Sequence, residues 1–189
     1  MQKRSVIAAA ILSMSSALAT AADMDAVFDS DVLCDPSSNS WMYIPPPAEA
    51  TLNALTEADW LRSKPVNRSG MDIHTFKSGK TWQGFPLKSI AIPEQRENTQ
   101  LFGSKVTVLG GARSVARQLD GAIRGGMSNQ SFVPTVSVVS GSPTMKRVIR
   151  FRDGTVYTSM VVERQGPQGA ESTAYCAVSQ ERGIGAKPR

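Results

Sequence analysis

The chain has almost no histidine and lacks the motifs that mark a catalytic or nucleotide site. His74 is the single histidine among 189 residues, so mechanisms that need two imidazoles within one chain are excluded. Neither G-x-S-x-G nor S-x-x-K, which would mark a nucleophilic serine, occurs. Ser78-Gly79-Lys80-Thr81 lacks the upstream glycine of a phosphate-binding loop, so we expect no nucleotide cofactor, and no other cofactor motif is found.

Long apolar runs and metal-binding patterns are also missing. After the first two dozen residues, no apolar stretch approaches the roughly 20 residues of a membrane span, so we predict none. With one histidine and two cysteines, the remaining metal ligands are carboxylates, and five aspartates fall within residues 23–35. Calcium takes such ligands, but the loop pattern D-x-[DN]-x-[DN]-G is missing. A solvated acidic segment is therefore preferred, and no metal site is predicted.

The beginning of the chain has the features of a secretory signal peptide. Lys3 and Arg4 precede an apolar run over residues 6–12, and small residues lead to Ala19-Thr20-Ala21. A basic region, a short apolar region and an A-x-A cleavage site characterise exported proteins. We therefore predict a signal peptide over residues 1–21, cleavage near Ala21, and a mature protein in the periplasm or the extracellular medium.

The two cysteines, Cys34 and Cys176, are predicted to form one disulfide. Exported proteins fold in oxidising compartments, where such pairs persist as bridges, so free thiols are the less favoured alternative. The bridge would tie the beginning of the mature chain to its last predicted strand.

Charge divides the mature chain into an acidic beginning and a basic remainder. Residues 22–60 contain eight acidic residues and no lysine or arginine, whereas residues 61–189 contain 19 basic and eight acidic residues. The acidic segment either folds back on the basic body, which we favour, or the basic face serves an acidic partner. For an exported chain we expect that partner to be another protein and not nucleic acid.

The pattern of elements predicts one α+β domain over residues 48–180, preceded by an irregular acidic arm over 22–47 and followed by a flexible tail over 181–189. Its sheet is expected to be mostly antiparallel, with about five to six strands and one or two packed helices. The polar residues 63–80 are expected to form no strand. Helices are predicted over 48–61 and 112–124, and strands over 85–92, 101–109, 132–139, 147–152, 155–162 and 172–178.

The strongest local pattern is Asp153-Gly154 between two β-rich runs, which is typical of a hairpin with a two-residue turn. Such a turn would pair Arg152 with Thr155 and Arg150 with Tyr157. One face of the hairpin would then join the core, and the other would be a basic strip of Lys146, Arg150, Arg152 and Tyr157. We predict that this strip binds a partner, with an ordinary solvated sheet face as the alternative.

Two further segments are weaker candidates for binding. Trp82, with Phe76 and Phe85, lies in a loop-like segment and is predicted to contact a partner, although such aromatics more often close a core. Gly110-Gly111 precedes a predicted helix, whose first amides and Arg113 could hold an anion. A plain tight turn is the preferred interpretation there.

By elimination, the sequence predicts a protein that acts by binding. The expected function is an exported protein-binding domain, an inhibitor or immunity protein against a toxin or hydrolase, because a basic strip suits an acidic active-site cleft. One alternative is a cell-envelope hydrolase that uses Asp72 and His74, which would share one side of an extended segment. Another is a structural component of an envelope secretion system that associates through an exposed sheet edge.

Overall fold

The computed structural model describes residues 21–32, 34, 48–62, 64–93, 104–122, 131–136, 140–151 and 154–180. The predicted signal peptide, apart from its last residue, lies outside the described residues, as do the predicted tail over 181–189 and Arg152.

Three helices and nine strands make up the described part of the chain. The helices are α1 (Ala21–Val32), α2 (Ala48–Glu57) and α3 (Ala112–Ala122). The strands are β1 (Val66–Arg68), β2 (Met71–Thr75), β3 (Thr81–Trp82), β4 (Phe85–Pro93), β5 (Lys105–Leu109), β6 (Val133–Val136), β7 (Pro143–Arg150), β8 (Thr155–Gly166) and β9 (Gly169–Gln180).

The strands form one open antiparallel sheet of order β1-β2-β4-β5-β9-β8-β7-β6, and β3 pairs with β4 beside this path. The chain passes through the first strands to β5, and α3 then leads from the middle of the sheet to its far edge. From β6 the strands return one by one, so that β9 pairs with β5. The β8–β9 hairpin therefore lies in the middle of the sheet.

The predicted α+β class and the antiparallel sheet are confirmed, but the sheet is larger than expected. It has nine strands instead of five to six, and three helices accompany it instead of one or two. The missed strands β1, β2 and β3 are two to five residues long and lie in or next to the segment expected to be irregular. In β2 the residue that faces the core is His74, which is 8% exposed, so a polar residue masks the alternation.

Helix α1 corrects the expectation of an irregular arm for residues 22–32; residue 33 and residues 35–47 of that predicted arm lie outside the described residues. Met24, Phe28 and Val32 recur every four residues and are all buried in the core. The aspartates between them are weak helix formers, so the helix depends on packing more than on intrinsic propensity. The ring of Phe28 contacts Trp60, Phe76 and Trp82, with centroid distances of 6.2, 5.9 and 5.8 Å. This part of the acidic segment therefore folds back on the body, as favoured.

The core lies between the helices and one face of the sheet, which we call the covered face. Register pairing places Met145, Val161, Ala174, Val106, Ile90 and His74 in one row across this face, from β7 to β2. The opposite face, called the open face, consists of the alternate strand residues. Within the described residues, no open-face side chain belongs to the core cluster.

The predicted disulfide between Cys34 and Cys176 is confirmed, with the two Cα atoms 5.5 Å apart. It ties the chain just after α1 to the covered face of β9, where Cys176 pairs with Ser159. None of the helices described is long and apolar enough to cross a membrane.

Removing the disulfide should lower the free energy of unfolding while leaving the fold intact. In Cys34→Ala/Cys176→Ala, the unfolded chain gains the freedom of a loop that spans 142 residues. The chain-entropy model sets the loss at about 4–5 kcal/mol at most. Guanidinium unfolding monitored by circular dichroism measures it. The single variant Cys34→Ala is the matched control and should lose a similar amount. A double variant with an unchanged midpoint would contradict a stabilising role.

Candidate functional site on the open face of the sheet

The β7–β8 hairpin differs by one residue from the predicted register. Arg150 pairs with Val156, and the amide of Phe151 donates to the carbonyl of Thr155 at 2.9 Å. The loop therefore contains three residues, 152–154, instead of the two predicted. Gly154 has a φ of 86°, which suits the left-handed position that closes three-residue hairpin loops.

This register separates the predicted basic strip. Lys146 and Arg150 lie on the open face, whereas Tyr157 pairs with Ile149 on the covered face. The Tyr157 ring makes a T-shaped contact with Phe151 at a centroid distance of 5.2 Å. A shift of one residue moves each side chain of one strand to the other face relative to its partner strand. The two cations thus share a surface with different neighbours from those expected.

Trp82 closes the core instead of facing a partner. Its side chain is 1% exposed and lies under α1, where its Nε1 donates to Asp29 Oδ1 at 2.9 Å. Gln83 donates to the same carboxylate through Nε2, and its backbone amide donates to Asp25 Oδ1 at 3.2 Å. Asp25 and Asp29 therefore help to fix α1 against the sheet.

The chain bends at Gly110-Gly111, and the beginning of the following helix already has an acceptor for its first amide. The amide of Ala112, at the beginning of α3, donates to Glu163 Oε2 at 2.8 Å. A Cβ atom at Gly110 would lie 2.8 Å from the Phe85 ring, so a residue without a side chain fits this approach. Glu163 therefore occupies the position at the helix start where an external anion was considered. This favours the interpretation of Gly110-Gly111 as a plain connection and not as an anion site.

A row of part-apolar side chains crosses the open face from one sheet edge to the other. Its ends are Val133 on β6 and Val66 on β1, which are 58% and 56% exposed. Near the middle, Tyr175 donates its hydroxyl to Met160 Sδ at 3.3 Å, and Lys105 Nζ lies 5.4 Å from the centre of the tyrosine ring. The whole row, ordered by register and by the Lys105–Tyr175 contact, is Val133, Lys146, Met160, Tyr175, Lys105, Ala91, Ile73 and Val66.

The open face is basic because the strand charges are sorted by sign between the two faces. Among the described strand residues, Glu171 is the only acid on the open face, whereas Asp72 and Glu163 lie on the covered face. Arg147 is the one strand cation on the covered face and is 1% exposed. The cations of the open face are Arg68, Lys88, Lys105, Lys146, Arg150 and Arg164.

Glu171 is neutralised within the open face. The carboxylate is 1% exposed and forms ion pairs with Lys88 Nζ and with Arg164, whose Nη2 lies 3.1 Å from Oε2. The hydrogen bond from Lys88 is the main cause that holds the pKa of Glu171 below its ordinary value, although burial opposes it. A Cβ atom at Gly166 would overlap this carboxylate, so a side chain at this position would have to displace Glu171 from its ion pairs. The described strand residues therefore give this face a net positive charge.

The alternative pair Asp72 and His74 lies where the sequence placed it, with both side chains on the covered face of β2. Burial lowers the pKa of His74, and the Asp72 charge opposes this shift more weakly. His74 lines a cavity of about 370 Å³, in which the only hydroxyl among the described lining residues belongs to Thr56. That hydroxyl donates to the carbonyl of Leu52 at 2.7 Å. The cavity therefore brings His74 together with the polar side chains Asn53 and Thr56 of α2.

Within the described residues, no three His, Cys, Asp or Glu side chains form a group that could hold a metal ion. Comparisons of the chain with protein-family models, with curated proteins and with solved structures find no match.

The open-face residues that sequence reasoning missed are Lys105, Met160 and Tyr175. All three lie in segments that were predicted as strands, and their alternation was visible. Their proximity depends on the pairing of β9 with both β5 and β8, which joins residues about 70 positions apart in the chain. The alternation of Lys105 and Thr107 with Val106 and Val108 in β5 was the available indication.

Glu171→Gln should lower the free energy of unfolding by about 1–2 kcal/mol at neutral pH, because the two charge-assisted hydrogen bonds weaken while their cations stay partly hydrated. Since the folded pKa is depressed, the carboxylate's contribution is present above its ordinary value of 4.5 and is lost as pH falls through the lower folded value. Urea unfolding from pH 7 down to pH 3 should therefore show the two proteins converging in acid.

Asp59→Asn is the matched control, because Asp59 forms a single ion pair with Lys77 at the surface. It should change stability little at any pH. Equal effects of the two substitutions, or a difference for Glu171→Gln that does not shrink as the pH falls below 4.5, would contradict the stabilising role of the Glu171 ion pairs.

Proposed function

We propose that the protein is an exported protein-binding domain whose open face receives an acidic surface of another protein. The expected class is an inhibitor or immunity protein directed at a toxin or hydrolase. The observation that supports this is the sorting of charge: six strand cations share the open face with one acid, Glu171, which is already paired. Such a face attracts an acidic partner and orients it during encounter.

The composition of the open face also suits a protein interface. Tyrosine, methionine and arginine are enriched in interfaces, and Tyr175, Met160 and Arg150 lie here among smaller apolar side chains such as Ala91 and Ile73. Eight successive strands span about 34 Å at the usual strand spacing. That width accommodates the roughly 800 Å² that each partner contributes to a standard interface.

The compartment implied by the sequence agrees with this role. The disulfide is compatible with a location outside the cytoplasm, and the predicted signal peptide would deliver the chain there. A protein that meets its partner in the envelope or medium is more consistent with a protein ligand than with nucleic acid.

A role in envelope assembly through a sheet edge is the second candidate. Strand β6 ends the sheet, and its Val133 and Val136 are 58% and 62% exposed. Exposed edges of this kind can accept a further strand. Pro134 in the same strand lacks an N–H group, which is a feature that protects edges against such addition. Self-association through this edge is therefore less favoured than binding of a charged partner to the open face.

Reversing charge on the open face should abolish partner capture. The oxidised chain from residue 22, carrying Lys146→Glu/Arg150→Glu, is compared with the wild-type chain as bait for the source organism's envelope and secreted proteins. The wild type should retain one stoichiometric acidic protein, which dissociates as salt rises. The variant should lose it, with an affinity at least tenfold lower in titration with the purified partner.

Arg113→Glu/Arg117→Glu is the matched control, because it reverses two exposed charges on α3. It should bind like the wild type. Equal capture by both variants would contradict the proposal, and so would saturable binding of the wild type to anionic lipid vesicles or DNA without a protein partner. Self-association seen by sedimentation, sensitive to Val136→Lys and not to the open-face variant, would favour the edge instead.

A further inference from the structure

We propose that the cavity between α2 and β2 is a second binding site, which takes a small organic carboxylate with an apolar part. The site is distinct from the open face, because His74 reaches the cavity from the covered face of β2. Its walls come from α2, from the chain that connects α2 to β1, and from β2.

The cavity has the size and lining of a small-molecule site. Its volume of about 370 Å³ falls within the usual range of ligand pockets. Leu52, Leu61 and Pro65 provide apolar wall, and Asn53 and Thr56 add polar groups from α2. Mostly apolar walls with a few convergent polar groups are characteristic of pockets that orient a small ligand.

The charges around the cavity select an anion. Asp59, Arg62 and Lys64 are the charged lining residues, and Asp59 is paired with Lys77 at 2.5 Å. Arg62 Nη2 donates to Ser78 Oγ at 3.0 Å, which orients the guanidinium group. With the carboxylate of Asp59 compensated, Arg62 and Lys64 leave the wall positive. An arginine held in this way is suited to bind a carboxylate.

His74 has a buried polar atom that a ligand could satisfy. The residue is 8% exposed, and its Nε2 has no hydrogen-bond partner among the described residues. A buried polar atom without a partner is unfavourable in a folded protein. Because His74 lines the cavity, a turn of its imidazole toward a bound carboxylate would let Nε2–H donate a hydrogen bond and remove this penalty. The apolar walls would cover the ligand's hydrocarbon part.

The single histidine makes the site directly observable. Because His74 is the only histidine, its imidazole gives one set of NMR resonances, and these can be followed during titration of the oxidised chain with hexanoate. We expect a saturable shift with hexanoate and at least tenfold weaker binding of hexanol, which has the same chain without the charge. Hexylamine, with the opposite charge, should not saturate the site.

Arg62→Gln/Lys64→Gln should weaken hexanoate binding at least tenfold, whereas Arg113→Gln/Arg117→Gln, which removes the same charge from α3, should not. Thermal unfolding verifies that both variants fold. The Lys146→Glu/Arg150→Glu variant should bind hexanoate normally, so this test is independent of the open face. Hexanoate that leaves the His74 resonances unchanged, or hexanol that binds equally well, would overturn the proposal.

Discussion

The pairing of β8 with β9 is the interaction on which the rest of the structure depends. Twelve residue pairs join these strands, and β9 and β8 then pair outward with β5 and β7, so this ladder unites the two halves of the sheet. The same ladder places Tyr175 beside Met160 and holds Cys176 where Cys34 reaches it. At its turn, Gly166 leaves room for Glu171, whose ion pairs with Lys88 and Arg164 connect the ladder to β4.

Folding stability explains why cations lie on the open face, but it does not explain why the described strands place only one acid there. Charged side chains avoid a covered face because burying them costs more than isolated ion pairs return, so cations on the open face are the expected default. Burial is equally costly for acids, yet the described strands place a single acid on the open face, and that acid, Glu171, is paired. Like charges on one surface repel each other and oppose folding. Binding of an acidic partner, as proposed, would give this arrangement a function.

Sequence reasoning succeeds where a single strand or helix buries an apolar stripe. It fails where the pairing with other strands determines which face of the sheet a residue occupies. Residues 112–122 and the strand that begins at Phe85 follow from periodicity, and the Cys34–Cys176 bridge follows from cysteine count and compartment. Helix α1 was missed because aspartates separate its buried residues. The β7–β8 hairpin shows this limit most clearly. Asp153-Gly154 predicts a turn, but the length of the loop determines which face Tyr157 occupies, and that length depends on the pairing along both strands.

The acidic segment was expected either to fold back on the basic body or to be solvated while the basic face serves an acidic partner, and helix α1 follows the first expectation. Helix α1 folds back on the covered side, where Asp29 and Asp25 accept hydrogen bonds from Trp82 and Gln83. Because this contact uses the covered side, it leaves the charge of the open face in place. The disulfide holds α1 on that side and so maintains the separation. The described acids of α1 therefore lie away from the open face, and the proposed binding of an acidic partner would require this separation.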